Sequence, residues 1–201
     1  MNNRANPLRI GYLPFYVDYY EGICPDFPRE KMANAQLCAE KLIRYGDLVW
    51  DGRLITGIEA AEKVGKKLFE ENVDCVVAFT TIAVFSGIAW TALAKMRSPI
   101  LVWNAQSIDR VEEGYSMVDI VRNTSQIGTQ ALANTLLRNG RWFKVVTGYI
   151  ESRRTDEGLN RFFGVIRAVK ALKSARLLAI GGTFPLMTDI HIDEGALAER
   201  I

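Results

Sequence analysis

With 201 residues, 49% of them hydrophobic and 24% charged, the chain has the length for one sizeable core and the composition of an ordinary globular domain. Its 25 basic and 23 acidic residues leave a formal charge of +2, and no basic stripe interleaved with aromatics appears, so no nucleic-acid partner is expected. Cys24, Cys38 and Cys75 are odd in number and widely spaced, which argues against a disulfide framework and against a zinc knuckle; reduced thiols in a cytoplasmic protein are expected.

Met1 to Pro7 has no apolar run of the kind a signal peptide needs. A first strand follows from Leu8 to Leu13. Pro28 suits the first turn of a helix running to about Tyr45, with Gly46 as its stop. Asp47 to Trp50 reads as a short second strand. Thr56-Gly57-Ile58-Glu59 has the S/T-x-x-E form of a capping box, and Glu59/Lys63 and Glu62/Lys66 fall four apart on the helix that follows. Val73 to Phe79 is a near-continuous apolar run, the pattern of a strand covered on both faces. The apolar stretch continues to Phe85, but Asp74 and the Thr80-Thr81 pair break it and it is too short to span a membrane.

Ile82 to Met96 is expected as an apolar helix, and Pro99 to Asn104 as a fourth strand followed by a loop to about Arg122. Asn123 with Gln126 suits the start of a helix ending near Gly140. Phe143 to Tyr149 gives a fifth strand. Leu159, Phe162, Phe163, Ile166, Val169 and Leu172 mark a long amphipathic helix by steps of three and four, and Arg176 to Ile180 reads as a sixth strand. This alternation predicts an α/β fold: a doubly wound, mostly parallel sheet with helices on both faces, flavodoxin-like or Rossmann-like. Residues 1–184 form the expected N-terminal α/β domain. Residues 185–201 read as the start of a following segment that breaks off within a helix, the mark of a truncated chain.

Familiar catalytic signatures are missing. No G-x-G-x-x-G follows the first strand, no Walker lysine loop is present, and the first and third strands end without the acidic residues of a phospho-receiver domain. There is no G-x-S-x-G elbow, and a single histidine leaves little for a nucleophile–base pair. That residue, His191, sits in Asp189-Ile190-His191-Ile192-Asp193, which on a strand would turn three potential ligands to one face; a solvated edge strand is the simpler reading. Gly181-Gly182-Thr183 is either an anion-binding turn or merely a sharp one, with the turn preferred. Phe15, Tyr16, Tyr19 and Tyr20 crowd the loop after the first strand, where they stack on a sugar, cover the sheet or meet another subunit. Asn104 either hydrogen-bonds a ligand hydroxyl or starts an Asx-turn.

Several segments at strand ends are more informative together: Ile10-Gly11-Tyr12-Leu13-Pro14-Phe15-Tyr16, Phe79-Thr80-Thr81, Leu101-Val102-Trp103-Asn104, Val145-Val146-Thr147-Gly148 and Ile180-Gly181-Gly182-Thr183-Phe184. In open α/β sheets ligands gather outside the carboxyl ends of the strands. In order and spacing, from about Ile10 to Ile192, the segments resemble the N-terminal part of the L-fucose/L-arabinose isomerase family. The match includes an opening I-G-x-x-x-x-Y, V-V-x-x-T, P-[IL]-L-x-x-x-x-Q from Pro99 to Gln106, and V-V-T-G.

The resemblance implies a cytoplasmic, metal-dependent isomerase that interconverts aldoses and ketoses. Manganese polarises the sugar oxygens while carboxylates act as acid and base. In that family the metal ligands and catalytic carboxylates come from later regions, so no catalytic or metal residue is expected in this chain. Its implied role is the rim of a neighbouring subunit's site within a homotrimer or homohexamer, through Leu13, Phe15, Ile82, Thr124, Ile127 and Phe184. Arabinose isomerases carry Gln at the position of Leu13, and Gln and His at those of Thr124 and Ile127; losing these polar groups weighs against arabinose. The loop Pro14-Phe15-Tyr16-Val17-Asp18 is closer to the fucose-isomerase-like branch. The expected activity therefore belongs to the parent enzyme, acting on a pentose or 6-deoxyhexose, with this chain inactive alone. The competing reading is a stand-alone, non-catalytic domain for binding a small metabolite or for oligomerisation.

Overall fold

Every strand pair in the sheet is parallel. β1 (Leu8–Tyr16) lies beside β2 (Gly46–Val49) along its first four residues and beside the two-residue β3 (Ile55–Thr56) at its end. On its other side follow β4 (Cys75–Thr80), β5 (Ile100–Gln106) and β6 (Phe143–Tyr149), giving the order β2-β1-β4-β5-β6. This is the expected doubly wound, flavodoxin-like arrangement, and its direction reverses between β1 and β4. The computed structural model describes residues 7–176 together with Leu186, Asp189, Asp193, Gly195, Ala196 and Glu199.

The helices are α1 (Phe27–Leu42), α2 (Gly57–Glu70), α3 (Ser86–Leu93), α4 (Met117–Arg122), α5 (Ser125–Arg138) and α6 (Arg153–Lys173). Strand alternation decides which face each one covers. A Cβ on Gly11 would collide with Leu68 of α2, so Gly11, Leu13 and Phe15 face α2. Leu13 and Phe15 join Ala78, Val102, Ala92 and Leu132 in one core cluster shared by α2, α3 and α5. Tyr12 points the other way, and its hydroxyl donates to the Ala35 carbonyl of α1 at 3.2 Å. The start of α6 shares that second face. Lys41 Nζ donates to Asp156 Oδ1 at 2.5 Å, and the rings of Tyr45 and Phe163 stack at 4.4 Å. β4 is buried along its whole length, as its unbroken apolar run requires.

The chain divides into two compact units, Met1–Phe163 and Gly164–Ile201. The first holds the whole sheet; the described part of the second is the rest of α6 and the few residues beyond it. Cys24, Cys38 and Cys75 are thiols. Among the described residues no helix is long and apolar enough to cross a membrane.

Several local expectations are corrected. β1 runs through Pro14 to Tyr16, and the apolar stretch after β4 is not yet helix: Ile82 and Val84 are loop residues buried in the core, and α3 begins at Ser86. Burial without helical periodicity is what misled the reading. Thr56 is the N-cap of α2, but its side chain makes no capping bond; the ion pair on that helix is Lys66–Glu70, at 3.8 Å. β3 was not foreseen. Nor was α4, although Ser116-x-x-Asp119 closes a reciprocal capping box. The cap of α5 is Thr124, not Asn123. The expected sixth strand, apart from Arg176, lies outside the described residues, as do Gly181-Gly182-Thr183, Phe184 and His191.

Candidate functional site at the carboxyl edge of the sheet

Two strands, β4 and β5, end in polar residues that α5 gathers into one network. Gln106 Nε2 donates to Asn104 Oδ1 and to Ser125 Oγ, both at 2.7 Å, and Ser125 Oγ donates to Asn104 Oδ1 at 3.2 Å. Thr80 Oγ1 lies 3.0 Å from the Ser125 carbonyl and 3.1 Å from Thr129 Oγ1. Thr81 Oγ1 donates to the Phe15 carbonyl at 2.8 Å, tying the ends of β1 and β4 together. α5 comes this close because residue 128 is glycine: a Cβ there would sit 2.7 Å from the Ile82 carbonyl oxygen and 2.9 Å from Thr80 Cβ. Each member is a neutral amide or hydroxyl, so the network desolvates without burying charge.

An open cleft of about 440 Å³ adjoins the network, lined by Gln106, Asp109, Arg110, Tyr115, Asn123 and Gln126 among others. Gln106 belongs to both: its two donor protons serve the network, which leaves Oε1 as the atom it can offer a ligand. Tyr115 Oη receives Asn123 Nδ2 at 2.6 Å and donates to the Asp119 carbonyl at 2.9 Å, and Ser107 Oγ donates to Asn123 Oδ1 at 3.0 Å. The Arg110 guanidinium is held by Glu112 at 2.5 Å, so its charge is already countered. On the neighbouring strand, Tyr149 donates to Glu151 at 2.7 Å, and that carboxylate, with Asp109 nearby, raises the phenol's pKa.

α4 is tied to the first turns of α1, the helix that follows β1. Lys31, only 1% exposed, donates through Nζ to the Arg122 carbonyl and lies 5.7 Å from the centre of the Phe27 ring. Burial brings its pKa down from 10.5 to about 8, against the opposing pull of Glu30. Arg122 pairs with Glu30 Oε2 at 2.8 Å and with Asp119, and the bond to Glu30 raises the guanidinium's pKa. Two hydrogen bonds from Ser116 hold the Asp119 carboxyl below its usual value. Beyond α4, Thr124 Oγ1 accepts from the Ala83 amide at 3.1 Å and donates to the Val121 carbonyl at 2.7 Å.

Of the residues implied as a rim, Leu13, Phe15 and Ile82 come together inside the core cluster, each without exposed surface in this chain. Thr124 stands at the junction of α4, α5 and the loop after β4. Ile127 projects from α5 and is 52% exposed. Phe184 lies outside the described residues. The reading from sequence did not single out Gln106, Ser125 and Asn123 as site residues. Their signal was positional: a polar residue closing the apolar strand β5, and polar residues opening the helix that returns over it. Among the described residues no three His, Cys, Asp or Glu side chains cluster as metal ligands would, so manganese does not fit the residues in view.

The chain matches no protein-family model and no curated protein.

Proposed function

We propose that this chain binds a small polyhydroxylated molecule at the carboxyl edge of its sheet and serves as the rim-forming N-terminal domain of a metal-dependent aldose–ketose isomerase. The observation that carries this reading is positional. The segments of β1, β4, β5 and β6 that resemble the fucose/arabinose isomerase family lie along neighbouring strands of one parallel sheet, and the open cleft sits at the end of one of them, β5, between the loop that follows it and the start of α5. Gln106 Oε1, Asn123 Oδ1 and Tyr115 Oη keep acceptor capacity after their internal bonds, which suits the donating hydroxyls of a pentose or 6-deoxyhexose.

In this reading the chain orients the sugar and shields it from water, and no residue described in it moves a proton. Manganese and the acid–base carboxylates belong to the rest of the parent enzyme. The test is a titration of the isotope-labelled chain with L-fucose, L-arabinose and their ketoses, followed by amide chemical shifts. Saturable shifts are expected at Thr80, Gln106, Asn123 and Gln126, with none at Leu8 or Ile100 on the opposite edge. If every sugar leaves the carboxyl edge unmoved, the binding role is wrong. Aldose–ketose turnover by this chain with manganese would refute the division of labour.

A further inference from the structure

We infer that α4 is a hinged strap, closed over the first turns of α1, and that it opens as a unit when the clasp between Lys31, Glu30 and Arg122 is released. This does not depend on the sugar reading.

The helix is nearly self-contained. Ser116 and Asp119 cap its start reciprocally, Arg122 returns to Asp119, and Asn123 Nδ2 reaches back to the Asp119 carbonyl at 2.9 Å and to Tyr115 at 2.6 Å. A six-residue helix tied to itself in this way can move without unravelling. None of its residues is fully buried; only Val118 and Val121 lean on the core.

Its side-chain ties to other elements are few and polar. Among the described residues they are Lys31 Nζ to the Arg122 carbonyl, Arg122 to Glu30, and at the margins Thr124 with Ala83 and Asn123 with Ser107. Both ends carry hinge geometry. Gly114 has φ +84 with open space where a side chain would be, and Asn123, with φ −106 and ψ 28, breaks the path between α4 and α5. Few side-chain ties and little apolar burial mark the segments of a protein that open first.

The strap also occupies what it covers. The Arg122 carbonyl, at the negative end of α4, sits on the buried ammonium of Lys31, and the cations of Lys31 and Arg122 both lie within 6 Å of the Phe27 ring centre, at 5.7 and 5.8 Å. Opening therefore uncovers the Lys31 ammonium and the Phe27 ring, both of which are closed off from solvent in this structure. The groups facing Lys31 are Glu30 on its own helix, Cys24 just before it, and Arg122 with its partner Asp119 on the strap.

The chain carries its own reporter, because Cys24 is half-buried beside this clasp while Cys38 and Cys75 are in the core. Two variants, Arg122→Gln and Glu30→Gln, are compared with the wild type by amide hydrogen exchange and by the rate of Cys24 labelling with a disulfide reagent. Exchange at residues 117–123 is expected to speed up about fourfold in the Glu30 variant and about tenfold in the Arg122 variant, as is labelling of Cys24, while Leu132, Leu136 and β4 keep wild-type protection. Glu30 is partly exposed, so its variant folds even if the arginine variant does not. The inference is overturned if residues 117–123 exchange no faster than α5 in the wild type. It is equally overturned if the Glu30 variant leaves both rates unchanged, or if protection falls uniformly across the domain.

Discussion

α5 and α4 are separated by two residues, yet they meet the sheet through different chemistry. α5 is seated by close approach: Gly128 lies against the Ile82 carbonyl, Leu132 and Leu136 are in the core, and Ser125 and Thr129 bond to the ends of β4 and β5. α4 is held by ions, through Lys31, Glu30, Asp119 and Arg122, with its apolar residues only half covered. Neutral groups bonded to one another in a dry site resist exchange with water. The charges of Glu30, Asp119 and Arg122, each about one-third exposed, keep much of their hydration and give up little when they part. Within one strand connection the fold has thus set a fixed floor beside a part suited to movement.

The sharpest way to break the fixed side is Gly128→Ala. The new methyl would press on the Ile82 carbonyl at 2.7 Å and on Thr80 Cβ at 2.9 Å, atoms of strand and loop backbone or close to it. α5 must move away, loosening Ser125 and Thr129 with it. A loss of about 3 kcal/mol in urea-unfolding stability is expected, at the upper end for overpacked cores. A loss below about 1 kcal/mol would mean that α5 is not seated by this contact.

The next prediction concerns the buried ion. The pKa of Lys31 in the fold, about 8, lies below its unfolded value of 10.5. Below pH 8 the lysine is charged in both states and the folded form bears the full cost of burying it. Between pH 8 and 10.5 the folded form loses the proton while the unfolded chain keeps it, so this group's contribution to stability rises with pH. Lys31→Met removes the effect. The stability of the methionine variant relative to wild type should therefore fall by about 2 kcal/mol between pH 7 and pH 10, the amount a shift of this size implies. Both proteins should carry Cys24→Ser, so that no thiol lies beside the lysine. A difference that stays flat across that range would show that Lys31 is not held as described.

Much of this comparison was legible in the sequence, and for a physical reason. Covered strands need unbroken apolar runs and helices need period and punctuation, so β4 and α6 stand out, as does the alternation that fixes the class. The loop after β4 was harder. Ile82 and Val84 are apolar because they are buried, and nothing local tells a buried loop from the start of a helix. The network around Asn104 was visible only as polar residues at strand ends, since residues 21 apart meet through the sheet and not through the sequence. The clasp was least legible: Lys31 and Arg122 are 91 positions apart, and each alone reads as a surface cation.

On the fixed side, Ser125→Ala tests the network with less violence. The hydroxyl accepts from Gln106 and donates to Asn104, and without it the Gln106 amide keeps Asn104 as a partner. A loss of about 1–2 kcal/mol is expected, the range for removing one member of a buried hydrogen-bonded set. Amide shifts should be confined to β5 and the start of α5. A neutral result would place solvent where the structure places a dry network.

On the movable side, Glu30→Gln should change global stability least of all, by under about 1 kcal/mol in the same urea titration. Glu30 and Arg122 are each about one-third exposed, so water and salt already screen their 2.8 Å pair, and Asp119 remains as a partner for the guanidinium. The variant should also remove most of whatever dependence the opening of α4 has on ionic strength, because it removes a charge from the clasp and leaves its shape. If Glu30→Gln instead unfolds the domain as Gly128→Ala is expected to, the clasp belongs to the core's cooperative unit. The contrast between a fixed α5 and a movable α4 would then be one of composition alone, with no difference in motion behind it.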